Sequence, residues 1–141
     1  MINVKDKLDQ SEIIELLALC TFSDSNRLEE TIQNYKNEND VEIYGFEKEN
    51  KVVGIIGFQM NETQMELKHI AVSPPQRYKG IGSLMINAMI NLKKPTQVIS
   101  ETDDDAVDFY RSSGFTVYSL GEKFPGVERY RCEFEVEQID I

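Results

Sequence analysis

The sequence holds one histidine, two cysteines and no tryptophan, and this scarcity removes several kinds of chemistry at the outset. Cys20 and Cys132 are far apart, lack metal-ligand spacing and have only His69 to complete a ligand set. Reduced, buried thiols are therefore expected in place of a disulfide or a metal site. Long apolar runs are missing too. The longest, Val52–Phe58 and the asparagine-broken Leu84–Leu92, fall well short of the roughly 18 residues a membrane helix needs, so no membrane segment is expected. The opening Met1-Ile2-Asn3-Val4-Lys5-Asp6 has neither the basic start nor the apolar centre of a secretory signal, which makes the cytoplasm the expected location. Positive charge is in short supply. Fifteen Lys and Arg stand against 25 Asp and Glu, a formal charge of −10, and such a surface repels a nucleic-acid backbone. Repeats, low-complexity tracts and Pro/Gly-rich linkers are absent from the 141 residues, so residues 1–141 are expected to form one domain around one core.

The acidic residues themselves leave a gap. None occurs from Ser73 to Pro95, where Arg77, Lys79, Lys93 and Lys94 all lie, with Lys68 just upstream. In so acidic a chain this makes a candidate local anion site, with a chance gap in the acids as the alternative.

Hydrophobic periodicity supplies the scaffold. Ser11 is placed to cap a first helix running to about Cys20, with Ile13, Ile14, Leu16 and Leu17 on its buried face. Asn26 and Glu29 have capping-box spacing for a second helix, whose Leu28, Ile32 and Tyr35 share one side. Val41–Glu47, Val52–Met60 and Met65–Val72, separated by polar turns, predict an antiparallel meander. Gly54 and Gly57 inside its second strand are expected at a bulge or at close packing against a helix. Pro74 and Pro75 stop the third strand, and a loop leads to Gly80-Ile81-Gly82 and a helix ending near Leu92, before Pro95. That helix is apolar apart from a stripe of Ser83, Asn87 and Asn91, so most of it is expected to be covered. Beyond it come a strand near Thr96–Glu101, a short helix over about Asp105–Ser113, and strands near Phe115–Leu120 and Tyr130–Val136. Gly114 suits the left-handed position after the short helix, which would fold Phe115 back on Tyr110.

The chemically informative stretch is strand, basic loop, glycine pair and helix. Glycines let the backbone turn tightly and approach a ligand, and the first amides of a helix have no internal partner and carry the positive end of its dipole. A pyrophosphate fits such a place, with Arg77 and Lys79 adding charge. A Rossmann loop would need a third glycine where Met85 stands, and its strands would be parallel. A Walker loop fails for want of Gly-Lys-Ser/Thr.

In Arg77-Tyr78-Lys79-Gly80-Ile81-Gly82 the chain resembles the GCN5-related N-acetyltransferase (GNAT) superfamily, whose R/Q-x-x-G-x-G/A loop binds the pyrophosphate of coenzyme A. Asp105-Ala106-Val107-Asp108-Phe109-Tyr110-Arg111-Ser112-Ser113-Gly114-Phe115 is similar to that family's N-x-x-A-x-x-F-Y-x-x-x-G-F segment, with Asp105 in place of the more usual asparagine. The resemblance implies an α/β (α+β) fold, with a mixed, mostly antiparallel central sheet of six to seven strands flanked by about four helices. It also implies acetyl-CoA as co-substrate, without a metal, and a small-molecule amine or protein amino group as acceptor. A homodimer is left open. Implied coenzyme contacts run from Arg77 to Ser83 and include Asp105, Phe109 and Tyr110, with backbone groups of Ile70, Ala71 and Val72 holding the pantetheine arm. Glu66 is the implied base, by analogy with a glutamate of relatives on this strand, and His69 ranks below it as an alternative. Strict alternation would put Glu66 on one strand face with Lys68, Ile70 and Val72, and His69 on the other. Tyr110 matches the tyrosine that protonates the leaving thiolate in relatives. A non-catalytic acyl-CoA-binding regulatory module, with the loop but no working base, is the alternative.

Overall fold

A computed structural model describes residues 1–21 and 25–137. In chain order the elements are β1 (Ile2–Asn3), α1 (Ser11–Cys20), α2 (Ser25–Asn37), β2 (Val41–Lys48), β3 (Lys51–Asn61), β4 (Gln64–Val72), α3 (Ile81–Lys93), β5 (Gln97–Asp103), α4 (Val107–Ser112), β6 (Thr116–Phe124) and β7 (Val127–Glu135). The strands form one seven-stranded sheet in the order β1-β2-β3-β4-β5-β7-β6. Every neighbouring pair is antiparallel except β4 and β5, which run parallel.

Local chemistry explains most of these boundaries. The β2–β3 hairpin turns through Glu49 and Asn50, both at positive φ, the two-residue connection whose twist matches the flanking strands. α4 closes with Gly114 at φ +92°. There the Phe115 amide bonds to the Tyr110 carbonyl at 3.0 Å and the Gly114 amide to the Arg111 carbonyl at 3.1 Å, the two bonds of the expected Schellman ending. Other ends differ from expectation. Gln10, extended at φ −73° and ψ 135°, occupies the cap position of α1 without a side-chain bond, and Ser11 is the first helical residue. Ser25 opens α2, which puts Asn26 inside the helix. α4 begins at Val107, because the preceding Asp104–Ala106 form a turn.

The sheet is covered on both sides. α3 and α4 pack on one face, around Ile56, Phe58, Met65, Leu67, Met85 and Met89. α1 and α2 pack on the other, around Ile13, Leu17, Tyr35, Ile43 and Ile55. β3 is therefore buried on both faces from Val52 to Phe58, which accounts for its continuous apolar run. The outer side of α3 is more apolar than the asparagine stripe suggests, since Leu84 and Leu92 are about half exposed, at 46% and 55%.

Both strand glycines are contact points with helices. A Cβ on Gly54 would meet the Met85 sulfur at 3.0 Å, and one on Gly57 would stand 2.0 Å from the Tyr35 hydroxyl. The second approach leaves no room for a methyl group. Gly57→Ala is expected to lower unfolding free energy by about 1–3 kcal/mol, the usual cost of overpacking. Urea denaturation would show this as a lower midpoint at unchanged slope, whereas an unchanged midpoint would mean that α2 yields freely.

Candidate active site

The site begins where two strands part. β4 and β5 share only the register from Gln64↔Gln97 to Leu67↔Ser100. Beyond it β4 continues to Val72 beside β3, and β5 continues to Asp103 beside β7. A gap therefore opens past Leu67 and Ser100. β4 is also bulged at this place, since Gly57 faces His69 while the next residue, Phe58, faces Leu67, leaving Lys68 as the extra residue.

The bulge corrects the expected strand faces. One inserted residue inverts the alternation beyond it. Met65 and Leu67 before the bulge, and Ile70 and Val72 after it, all belong to the α3/α4 side. Ala71 packs on the α1/α2 side, and His69 reaches Tyr35 of α2. Glu66, paired in register with Gln59, lies on this second side too. Glu66 and His69 thus share a face, contrary to strict alternation.

Along the gap, side chains serve the β4 backbone that β5 has left. The Cys20 thiol donates to the Ile70 carbonyl at 3.4 Å, and Arg77 Nε donates to the Val72 carbonyl at 3.1 Å. Burial pushes the Cys20 thiol up to about 12, so it stays protonated and keeps donating.

The loop after β4 then wraps onto α3. Tyr78 is at φ +62° and Gly80 at φ +79°, and the Tyr78 side chain is fully exposed. A Cβ at Gly80 would touch nothing within 4 Å, so this glycine is needed for its left-handed conformation and not for space. It caps α3, whose first intrahelical bond runs from the Leu84 amide to the Gly80 carbonyl at 3.0 Å. The amides of Ile81, Gly82 and Ser83 precede that bond and have no intrahelical acceptor. Gly82 answers a different need. Its absent Cβ would lie 2.7 Å from the Phe109 ring, so α3 and α4 approach closely there. Ser83 and Ser113 hydroxyls, 2.9 Å apart, join the same two helices.

The basic stretch divides. Arg77 and Lys79 stand at this loop, Lys79 on the Gln76 side-chain oxygen at 3.3 Å. Lys93 and Lys94 lie at the far end of α3, roughly 20 Å away, where Lys93 pairs with Glu42 at 2.8 Å. Lys68 pairs with Glu66 at 2.7 Å. Two cations, not five, mark the loop.

Tyr110 is buried at 4% exposure, with Phe109 and Phe115 edge-on at ring distances of 5.2 Å. Its hydroxyl accepts from Ser100 Oγ at 3.0 Å. Ser100 is the last β5 residue paired with β4, so the phenol sits at the head of the gap. Burial pushes it up to about 12, against a lowering by the Ser100 bond. Asp105 is exposed on the turn before α4, its amide bonded to the Asp103 carboxylate at 3.0 Å.

On the α2 side lies a cleft of about 270 Å³, with Asn34, Glu38, Asp40, Gln59, Lys68 and His69 among its walls. His69 Nδ1 is 2.6 Å from the Tyr35 hydroxyl, and burial, then the Lys68 charge, lower its pKa to about 4. Sequence reasoning passed over Ser100, Cys20 and the Tyr35–His69 bond. A serine inside the apolar run Val98–Ile99–Ser100 was a usable signal, but the other two depend on tertiary placement alone. Among the described residues no three His, Cys, Asp or Glu gather as a metal site, and no helix is long and apolar enough to cross a membrane.

The chain is similar to known proteins in sequence and fold. The family model described as "Acetyltransferase (GNAT) domain" matches residues 39–117. A curated relative, an uncharacterized N-acetyltransferase in the lysA 3′ region of Bacillus methanolicus, is 31% identical over 77 residues, 54% of this chain and 64% of that protein's length. An aminoglycoside 6′-N-acetyltransferase solved in complex with coenzyme A superposes at TM-score 0.74, with 17% identity over 97% of this chain and 93% of that one. An IAA acetyltransferase from Bacillus cereus gives 0.72, with 17% identity over 94% of this chain and 95% of that one. At such identities the structural likeness is one of fold.

The half-buried His69 sets a pH dependence. Its folded pKa, about 4, lies below the ordinary 6.5, so between these values the unfolded chain binds more protons. Stability is accordingly unaffected by this group above pH 6.5 and declines as pH falls towards 4. Thermal unfolding of the wild type between pH 7 and 4.5 should fall more steeply than that of His69→Gln; parallel curves would contradict the assignment.

Proposed function

The chain belongs to the acetyltransferase (GNAT) family, and from that premise we propose that it transfers the acetyl group of acetyl-CoA directly to a primary amine. One observation carries the reading: the β4–β5 gap runs towards a helix start whose amides are unpaired and whose cap is left-handed. A diphosphate fits the amides of Ile81, Gly82 and Ser83, with Arg77 and Lys79 alongside and the exposed Tyr78 at the rim. The pantetheine arm lies along the backbone of Ile70, Ala71 and Val72, and Phe109 and Asp105 flank it from the α4 side.

The acceptor approaches from the α1/α2 side, where Glu66 stands. An alkyl amine of pKa ~10.4 is mostly protonated at neutral pH. Glu66 takes one proton, directly or through water, to give the neutral amine; its nitrogen then bonds to the thioester carbon and loses a second proton to water as the tetrahedral intermediate collapses. As the carbon–sulfur bond breaks, Tyr110 donates a hydrogen bond and then its proton to the sulfur, and solvent returns a proton to the phenol. Ser100 holds the phenol in place for this through its hydroxyl bond. Two free thiols go with a cytoplasmic setting, and neither is needed as a nucleophile.

One observation favours the alternative, a non-catalytic acyl-CoA-binding module: Glu66 is already held by Lys68. Thiol-release kinetics over a panel of amines decide between the two. The proposal expects turnover that falls about 10²–10³-fold in Glu66→Gln and in Tyr110→Phe, with acetyl-CoA affinity in Glu66→Gln unchanged by calorimetry. Tight acetyl-CoA binding without release on any amine would establish the module instead. Arg77→Ala is expected to weaken calorimetric acetyl-CoA binding about tenfold by removing a charge-assisted contact, and an unchanged affinity would remove Arg77 from the site.

A further inference from the structure

The cleft beside α2 contains a hydrogen-bond donor whose direction the packing fixes. Tyr35 is 1% exposed, and the bond between its hydroxyl and His69 Nδ1 is the only one either side chain makes among the described residues. If the histidine donated, the buried phenol proton would have no acceptor, a cost of about 1–3 kcal/mol. Tyr35 is therefore the donor and Nδ1 the acceptor, which leaves the histidine's proton on Nε2. No described buried side-chain nitrogen or oxygen lacks a partner, and Nε2 has none, so it is open to the cleft that His69 lines. Gly57 holds this geometry, since only a glycine admits the Tyr35 hydroxyl there.

We propose that His69 is a hydrogen-bond donor of fixed tautomer in the acceptor cleft, and that the amine this protein acetylates carries a neutral oxygen, a hydroxyl or an amide carbonyl, which seats on His69 Nε2–H. The inference rests on the acetyl-transfer reading and adds to it a substrate class. His69 cannot serve as the base here, because its free nitrogen already carries a proton and the other is occupied. The acceptor's charge fits the same walls. Glu38 and Asp40 line the cleft, Lys68 lines it while paired to Glu66, and Cys20 lies across Tyr35. The two carboxylates favour an ammonium and repel an anionic oxygen, which selects a hydroxyl or amide over a carboxylate.

The lone histidine makes the test direct. Protein labelled with ¹⁵N-histidine gives one pair of imidazole signals, and the proposal expects a protonated Nε2 and an unprotonated Nδ1 at pH 7. In kinetics, 4-amino-1-butanol and 4-aminobutanamide should exceed n-butylamine about tenfold in kcat/KM, mainly through KM, the size of one neutral hydrogen bond. That preference should vanish in His69→Leu, return in part in His69→Gln, and weaken in Tyr35→Phe, which keeps the ring packing but frees the imidazole to exchange tautomers. A proton on Nδ1, equal rates for the matched amines, or a preference surviving in both His69→Leu and Tyr35→Phe would overturn it. Acetyl-CoA calorimetry on the same samples separates the two levels: loss of coenzyme binding by the wild type defeats the transfer reading and this inference together, while intact binding with indifference to the oxygen defeats this inference alone.

Discussion

A parallel pair of strands that stays together for four residue pairs and then separates is the constraint from which the rest of this molecule follows. A separated strand exposes amides and carbonyls that would ordinarily be paired, and buried backbone groups need partners. Here the Cys20 thiol and the Arg77 guanidinium supply partners to two carbonyls of β4, so the edge stays organised without being closed. The gap is kept open by what holds the strands elsewhere. β3 keeps β4 on one side and β7 keeps β5 on the other, each by a long antiparallel ladder.

The bulge at Lys68 makes that opening two-sided. Met65 and Leu67 before it and Ile70 and Val72 after it all point to the α3/α4 layer, which would be impossible for an uninterrupted strand spanning the same residues. The inserted residue also gathers Glu66, Lys68 and His69 on the α2 side, opposite the layer that holds Tyr110. The proposed base and the proposed acid thus approach the gap from different faces of the sheet. A reaction that removes a proton from one reactant and delivers a proton to the other uses such a separation. Gly57 serves both halves of this arrangement, lying opposite the bulge in β3 and leaving room for Tyr35.

Much of the framework was legible in the residues. The meander, the proline-stopped strand, the glycine pair before α3 and the Schellman ending at Gly114 each rest on short-range chemistry that a linear pattern records. Gly54 and Gly57 announced close packing but not which side chains would come near. The strand faces were misread because a bulge leaves no sign in residue type when the extra residue is a lysine like any other. Charge counting failed in a similar way. Lys93 and Lys94 are near Arg77 in sequence, but a helix of 13 residues carries them to the opposite end. Cys20 acquires meaning only through a partner 50 residues distant, a separation at which sequence spacing holds no geometric information. The length of the Tyr35–His69 bond and the depth of its burial likewise belong to the packing of α2.

The central claim is that an acyl carrier lies along β4 and ends on the first turn of α3. Amide-resolved NMR with acetyl-CoA tests it most directly. The account expects the largest shifts at Gly80, Ile81, Gly82 and Ser83, with a second group at Ile70, Ala71 and Val72. Shifts concentrated elsewhere, or none at saturating acetyl-CoA, would contradict it.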